Sequence, residues 1–386
     1  MIRLVVSLFI FLASGNWCTA QITPQNDSLF LKQTELFEKL HVYEAWKMTE
    51  GNPEVVIGCI DSGFDFYHPY LNRQLIPGWW ADEAYHPETF QNIAHGTLVA
   101  GLMVANPTYE NGLRGLAPDC RVLTASLGLI EHPLVRRMNE VGKAHPEMSE
   151  IEVAKEVGKQ MSQDTALLRQ FGARWKEFIT TGASNAIVYL VDKGVRLINM
   201  SMYTFTPELN EAFEYAREHD VLIVVGAGNS NHEIPDTFTN NDHIIVVGAS
   251  DKNDNRWTVT AQGLTQGSNW GEALDVCVPI ENLPVCQPSD PRYYKTIDGP
   301  AGSEDAEYKG ICTVLRYGAT SSATPIVTSL AALIYSIAPD LTAAEVKQAI
   351  IEGCDDIGEQ GFDIYTGHGR VNFGKTVRGL MNRKTK

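Results

Sequence analysis

The chain has 386 residues, 44% hydrophobic and 20% charged, which excludes a disordered, collagenous or polytopic membrane protein and allows one large α/β domain or two modest ones. With 31 basic against 47 acidic residues the formal charge is −16, so no general field draws this surface to phosphate backbones or anionic lipid. Neither a nucleic-acid partner nor stable membrane insertion is expected.

Arg3 is followed by an apolar run, Leu4 to Ala13, and then by Cys18-Thr19-Ala20. A charged start, a short apolar stretch and a small-residue cleavage site predict a signal peptide over residues 1–20, cut after Ala20. Ten apolar residues fall short of the ~20 that span a bilayer. The expected destination is extracellular or periplasmic, and residues 21–386 read as one domain. Six cysteines remain there: Cys59, Cys120, Cys277, Cys286, Cys312 and Cys354. An oxidising compartment permits disulfides among them. Cys59 lies in a strand-like run and reads equally as a buried thiol, whereas Cys277, Cys286 and Cys312 share one irregular stretch where a single bridge is expected.

Short apolar runs recur along the chain: Val55–Ile60, Val122–Ala125, Val195–Met200, Val221–Ala227 and Ile244–Ala249. Each is rich in Val and Ile and apolar at every position, as suits a strand covered on both faces of a parallel sheet. Residues 129–177 interrupt this rhythm with a mixed charged and apolar pattern (Ile151, Val153, Ala154, Val157, Met161, then Leu167, Leu168, Phe171, Trp175) that predicts one or two inserted helices. Pro207 opens a helix with Leu209, Phe213 and Ala216 on one face. Residues 280–316 are rich in Pro, Gly, Asp and Tyr and read as an excursion loop. Ile326–Ala338 is apolar all round, predicting a buried helix that stops before Pro339. Strands alternating with helices give an α/β fold: a doubly wound, mainly parallel sheet with helices on both faces and a helical insertion.

Residues that carry chemistry sit at the element boundaries. The first strand ends in Asp61-Ser62-Gly63; His95-Gly96-Thr97 leads into a helical run; Gly228-Asn229 follows the Val221–Ala227 strand; and Thr320-Ser321-Ser322-Ala323-Thr324-Pro325 opens the buried helix. Nucleophilic acyl transfer needs this set. A serine hydroxyl requires an imidazole to take its proton, the imidazole requires a carboxylate, and the developing oxyanion requires a donor such as an Asn amide. Taken singly, a strand-end Asp is a common turn former and a Ser before a helix a common cap. The specificity lies in the combination and its order.

That order of Asp, His, Asn and Ser motifs resembles the subtilisin-like serine peptidases. Further matches are Val56–Gly63 (VIGCIDSG), His68-Pro69-Tyr70-Leu71, His95–Gly101 (HGTLVAG), Gly115-Leu116-Ala117-Pro118, Ile198–Ser201 (INMS) and Gly361–Asn372. The resemblance implies Asp61, His95 and Ser321 as the triad, the Asn229 side chain in the oxyanion hole, and Ser201, Met202, Tyr203 and Thr320 at the substrate. The implied function is a secreted serine endopeptidase acting on peptides or proteins. No cofactor is required for that chemistry and no metal ligand is assigned; the resemblance leaves room for a structural calcium. The Asp251–Asn255 run starts like a calcium loop, but Arg256 stands where an EF-hand needs Gly.

Five positions depart from the family's usual pattern. Leu98 replaces a His, Ala319 and Ser322 replace the Gly and Met that commonly flank the Thr-Ser pair, and Met202-Tyr203 replaces a Leu-Gly pocket wall. A tyrosine ring there predicts a preference for small side chains before the scissile bond. The stretch from 21 to about 40 is shorter than the folding-assistant propeptide common among secreted members. The expectation is that the chain folds unaided or that residues 129–177 help to cover the site. Two rival readings are a catalytically silent member kept as a binding module and a sedolisin-type acid peptidase. An intact Asp, His, Asn and Ser set opposes the first, and the His-Gly-Thr motif opposes the second, which needs a Glu base.

Overall fold

The computed structural model describes residues 28–81, 94–107, 112–127, 133–148, 150–163, 166, 169, 178–202, 207–235, 238, 241–261, 264–289 and 311–384. In chain order the helices are α1 (Ser28–Lys39), α2 (Val42–Trp46), α3 (Ala94–Val104), α4 (Pro133–Ala144), α5 (Glu150–Gln163), α6 (Ser184–Asp192), α7 (Asn210–Glu218), α8 (Ala319–Ile337), α9 (Ala343–Gly353) and α10 (Phe373–Lys384). The strands are β1 (Val56–Asp61), β2 (Leu75–Trp80), β3 (Arg121–Ser126), β4 (Leu197–Met200), β5 (Leu222–Gly226), β6 (Ile244–Ser250), β7 (Thr258–Ala261), β8 (Leu264–Gly267), β9 (Val276–Pro279), β10 (Glu281–Cys286) and β11 (Cys312–Tyr317).

Seven strands form one parallel sheet in the order β2-β3-β1-β4-β5-β6-β9. All five strands read from apolar runs lie in it and are buried, as continuous Val/Ile sequences require. Successive β1 side chains serve opposite faces. Ile57 and Cys59 join the core under α3 and α8, while Ile60 joins the core under α6 and α7. Because β3 lies on one side of β1 and β4 on the other, the chain reverses its winding at β1. A crevice therefore opens at the carboxyl ends of β1 and β4.

The buried helix begins earlier than its apolar run, at Ala319, and has its C-cap at Ala338. Its length and composition would suit a membrane span, yet it is packed inside the protein as the core helix. The insertion contains two helices, α4 and α5, with Val141, Val153 and Val157 buried. They run antiparallel, since Arg137 bonds Gln160 while Gly142 faces Val153. Leu167, Leu168, Phe171 and Trp175 lie outside the described residues.

The 280–316 stretch is corrected in part. Its two ends are strands, β10 and β11, paired antiparallel as a hairpin, with Leu283, Val285 and Leu315 buried. Pro284 and the polar Glu281 and Asn282 before it hid the strand, since proline and polar residues read as turn formers.

Both ends of the described chain are tied to one carboxylate. Lys39 of α1 pairs with Asp254 at 2.9 Å, and Arg370 pairs with the other oxygen of Asp254 and with Asp355. Nearby, Phe373 donates its N–H to the Leu40 carbonyl at 2.9 Å.

Candidate active site

Asp61 is the last residue of β1, and its carboxylate is 1% exposed. It accepts from the Ser62 N–H at 2.6 Å and the Ser62 hydroxyl at 3.2 Å. Both of its oxygens lie 2.9 Å from Nδ1 of His95. A buried acceptor on both sides of Nδ1 selects the tautomer that carries its proton there, which leaves Nε2 as the base. Burial pulls the His95 pKa down. The Asp61 charge and its hydrogen bond together outweigh burial and hold it above the ordinary histidine value.

His95 stands in the first turn of α3 because the two residues after it fit that turn against the β1 loop. A Cβ on Gly96 would lie 2.1 Å from the Gly63 carbonyl oxygen, so only glycine lets the helix come this close. Thr97 accepts the Asp65 N–H at 2.9 Å through its hydroxyl. Both motifs, Asp-Ser-Gly and His-Gly-Thr, thus meet as a docking of loop against helix. Leu98, where the family often has His, packs against the core.

A second pair of residues meets at the end of β5. Thr320 donates its N–H at 3.0 Å and its hydroxyl at 2.8 Å to Oδ1 of Asn229, while its Oγ1 accepts the Gly228 N–H at 3.2 Å. With Oδ1 held this way, the Asn229 amide nitrogen points away from Thr320 as a free donor. Ser321 follows at the start of α8, partly exposed between the buried Thr320 and Ser322. Among the described residues the His95 ring bonds to Asp61 alone, and the bond between nucleophile and base in such sites often tightens only with substrate. Ala319 adopts a left-handed φ of 54°, where the family has glycine; for an alanine this conformation costs about 1–2 kcal/mol.

The structure brings together Asp61 with His95 and Asn229 with Thr320. Ser201 is buried, its Oγ accepting from Asn199 at 3.1 Å, and Asn199 in turn accepts from Thr328 of α8 at 2.8 Å. Met202 is partly buried against the core, and Tyr203 lies outside the described residues. The Ser322 hydroxyl is buried without a partner. Residue types alone gave no signal for the roles of Ser62 and Thr97, nor for Thr320 as the residue that orients Asn229.

Among the described residues no group of three or more His, Cys, Asp or Glu could hold a metal. At the Asp251 turn, Oδ1 is taken by the N–H groups of Asn253 and Asn255 at 2.8 and 2.9 Å. Those bonds close a local turn, so the residues present fit a metal poorly.

A family model for the Subtilase family (peptidase family S8) matches residues 52–369. Thermitase from Thermoactinomyces vulgaris is 25% identical over 356 residues, covering 92% of this chain and 99% of that protein. The thermophilic serine proteinase of Bacillus sp. (strain AK1) is 27% identical over 331 residues, and the match spans 85% of this chain but 63% of that relative. Among solved structures, the MycP3 protease from the type VII (ESX-3) secretion system superposes with a TM-score of 0.61 at 19% identity, covering 94% of this chain and 92% of that one. The family match begins ahead of β1 and reaches past the opening of the core helix, over a sheet and helices in the subtilisin-like arrangement; the chain belongs to the subtilase family and is a subtilisin-like serine peptidase.

Proposed function

We propose that the chain is an exported serine endopeptidase in which Ser321 attacks the peptide carbonyl. His95 acts first as base, through Nε2, and then as acid toward the leaving amine. Asp61 orients His95 and stabilises its imidazolium, and the Asn229 amide with the Ser321 N–H receives the oxyanion. The observation that carries this reading is the buried Asp61 carboxylate gripping His95 Nδ1 at 2.9 Å through both oxygens. A site kept only for binding has no use for a buried charge aimed at an imidazole. Family membership supports a peptide or protein substrate. The signal-like residues 1–20 support export.

A fluorophosphonate probe on the purified mature chain tests the assignment. The expected result is one adduct, mapped to Ser321 by mass spectrometry and absent in His95→Ala. Folded protein that takes no label supports the silent binding module instead, and full activity near pH 4 supports the acid-peptidase reading.

A further inference from the structure

We propose that Cys286 and Cys312 are joined by a disulfide in the mature protein. The two residues stand directly opposite each other on β10 and β11. The next ladder bond runs from the Gln287 N–H to the Ile311 carbonyl at 3.0 Å, which makes Cys286 and Cys312 a non-hydrogen-bonded pair. In such a pair the Cα atoms lie about 4.5 Å apart with side chains on the same face, inside the span a disulfide bridges. Pro284, opposite Val314, falls at another non-hydrogen-bonded site, where its missing N–H is not needed. From Leu283 to Gln287 the pairing is regular and agrees on this register; the ladder is interrupted only further back, at Asn282, whose φ is 52°.

Two other cysteines are held elsewhere, in the seven-stranded sheet. Cys277 is on β9, paired with Gly248 in the parallel sheet. Cys59 lies within β1, where it accepts from Asn199. Cys312 also acts on Cys286: burial first, then the hydrogen bond and charge of the neighbouring Cys312, pushes the Cys286 thiol well up. Cys312 is the less buried of the two and so the first to meet an oxidant.

The chemistry needs a disulfide-bearing oxidant, such as glutathione disulfide or a thiol–disulfide oxidoreductase. The Cys312 thiolate attacks it, forming a mixed disulfide and releasing one thiol. The Cys286 thiolate then displaces the second thiol. Two cysteine thiols are oxidised, one external disulfide is reduced to two thiols, and the cysteine protons end on the released sulfurs.

The bridge would sit beneath the catalytic helix. A Cβ on Gly101 of α3 would lie 2.7 Å from Cβ and 2.8 Å from Sγ of Cys286, so the helix bearing His95 rests on this cysteine. Just beyond the pair, Ser289 gives its N–H and hydroxyl to Asp65 at 2.6 Å each. Across the hairpin, His68 Nε2 meets the Ile311 carbonyl at 2.8 Å. Both sides of the hairpin neck are thus bonded to the segment that follows Asp61. A covalent link across the neck holds these two attachments together.

In the cell, formation of the bridge rests on the export proposed above, so the test is run in a defined glutathione buffer, independent of export and of catalysis. The full chain is equilibrated with glutathione disulfide, quenched in acid, denatured, alkylated without reductant and digested. The expected result is a Cys286–Cys312 linked peptide that disappears on reduction. A second expectation is a fall in the thermal midpoint on the order of 4 °C when the bridge is reduced, a shift absent in Cys312→Ser. Alkylation of both residues in the unreduced chain, or linkage of either to a different cysteine, overturns the proposal.

Discussion

Thr320 directs two donors, its N–H and its hydroxyl, at a single atom, Oδ1 of Asn229. The residue that precedes Ser321 therefore sets which way the Asn229 amide faces. Neither bond involves substrate, so this donor is oriented before any peptide arrives. Preorganisation of that kind is what makes an oxyanion donor effective.

Asn229→Ala should preserve the fold and KM while lowering kcat by about 10²–10³-fold, the effect known for loss of this donor in subtilisin. Thr320→Val keeps the N–H bond but loses both hydroxyl bonds, the one given to Asn229 Oδ1 and the one accepted from the Gly228 N–H, so kcat should fall by at least the roughly 2- to 12-fold that one neutral hydrogen bond is worth. Steady-state kinetics on a chromogenic peptide measure both. An unchanged kcat in Asn229→Ala removes this residue from the mechanism.

The Asp61–His95 pair sets the pH response. A base must be neutral to act, and the His95 pKa is raised, so the rising limb of kcat/KM should have its midpoint above the ordinary histidine value of 6.5. In Asp61→Asn the opposing charge is gone and burial acts alone. The limb should then move to lower pH while kcat falls by about 10⁴-fold. A midpoint below 6.5 in the unaltered enzyme contradicts the ion pair.

Gly96→Ala separates positioning from chemistry. The added Cβ meets the Gly63 carbonyl oxygen at 2.1 Å, so the start of α3 must move away from the loop that follows Asp61. Stability should fall by about 1–3 kcal/mol, as for other overpacked sites. Activity should fall by about 10² or more, because His95 moves with the helix. Denaturant melts and kinetics on the same preparation make the comparison; activity equal to that of the parent rejects the tight docking.

The insertion leaves the sheet beside the site. Leu127, just after β3, donates its N–H to the Asp61 carbonyl at 2.8 Å, and α6, which follows the insertion, starts at the same carboxyl edge before running back to β4. Helices α4 and α5 should therefore restrict access, so that short peptides are cut better than folded proteins. Nicking the exposed turn at His145–Glu147 should raise casein hydrolysis several-fold relative to a short peptide. An unchanged ratio shows that the insertion is a distant appendage.

What the sequence made legible followed from how each element is buried. Strands covered on both faces must be apolar throughout, so the five central strands stood out as Val/Ile runs. The contact of Asp61 with His95 was legible because a strand end and a helix start are where side chains project. Strand β2 was hidden because an edge strand such as Leu75–Trp80 needs only partial burial, and its Pro77-Gly78 step resembles a turn. Strands β10 and β11 were hidden because Glu281, Asn282 and Pro284 break up the apolar run of one, and Thr313 and Arg316 that of the other. The pairing of Thr320 with Asn229 was illegible for another reason: a threonine hydroxyl carries no mark in the sequence of what it will bond across the fold.

The Asp254 clamp bears on when this protein can finish folding. Lys39 finds its carboxylate only after most of the central sheet has been made, and Arg370, Asp355 and Phe373 complete the arrangement near the C-terminus. Contacts this distant in sequence are slow to form, since the chain must first bear the loss of entropy in closing long loops. An N-terminal fragment emerging during synthesis lacks the partners that would lock α1 and α2 in place. Until Asp254, Asp355 and Arg370 are all in place, α1 and α2 therefore have nothing to hold them, so the last stretch of chain to be made decides when the first described helix settles.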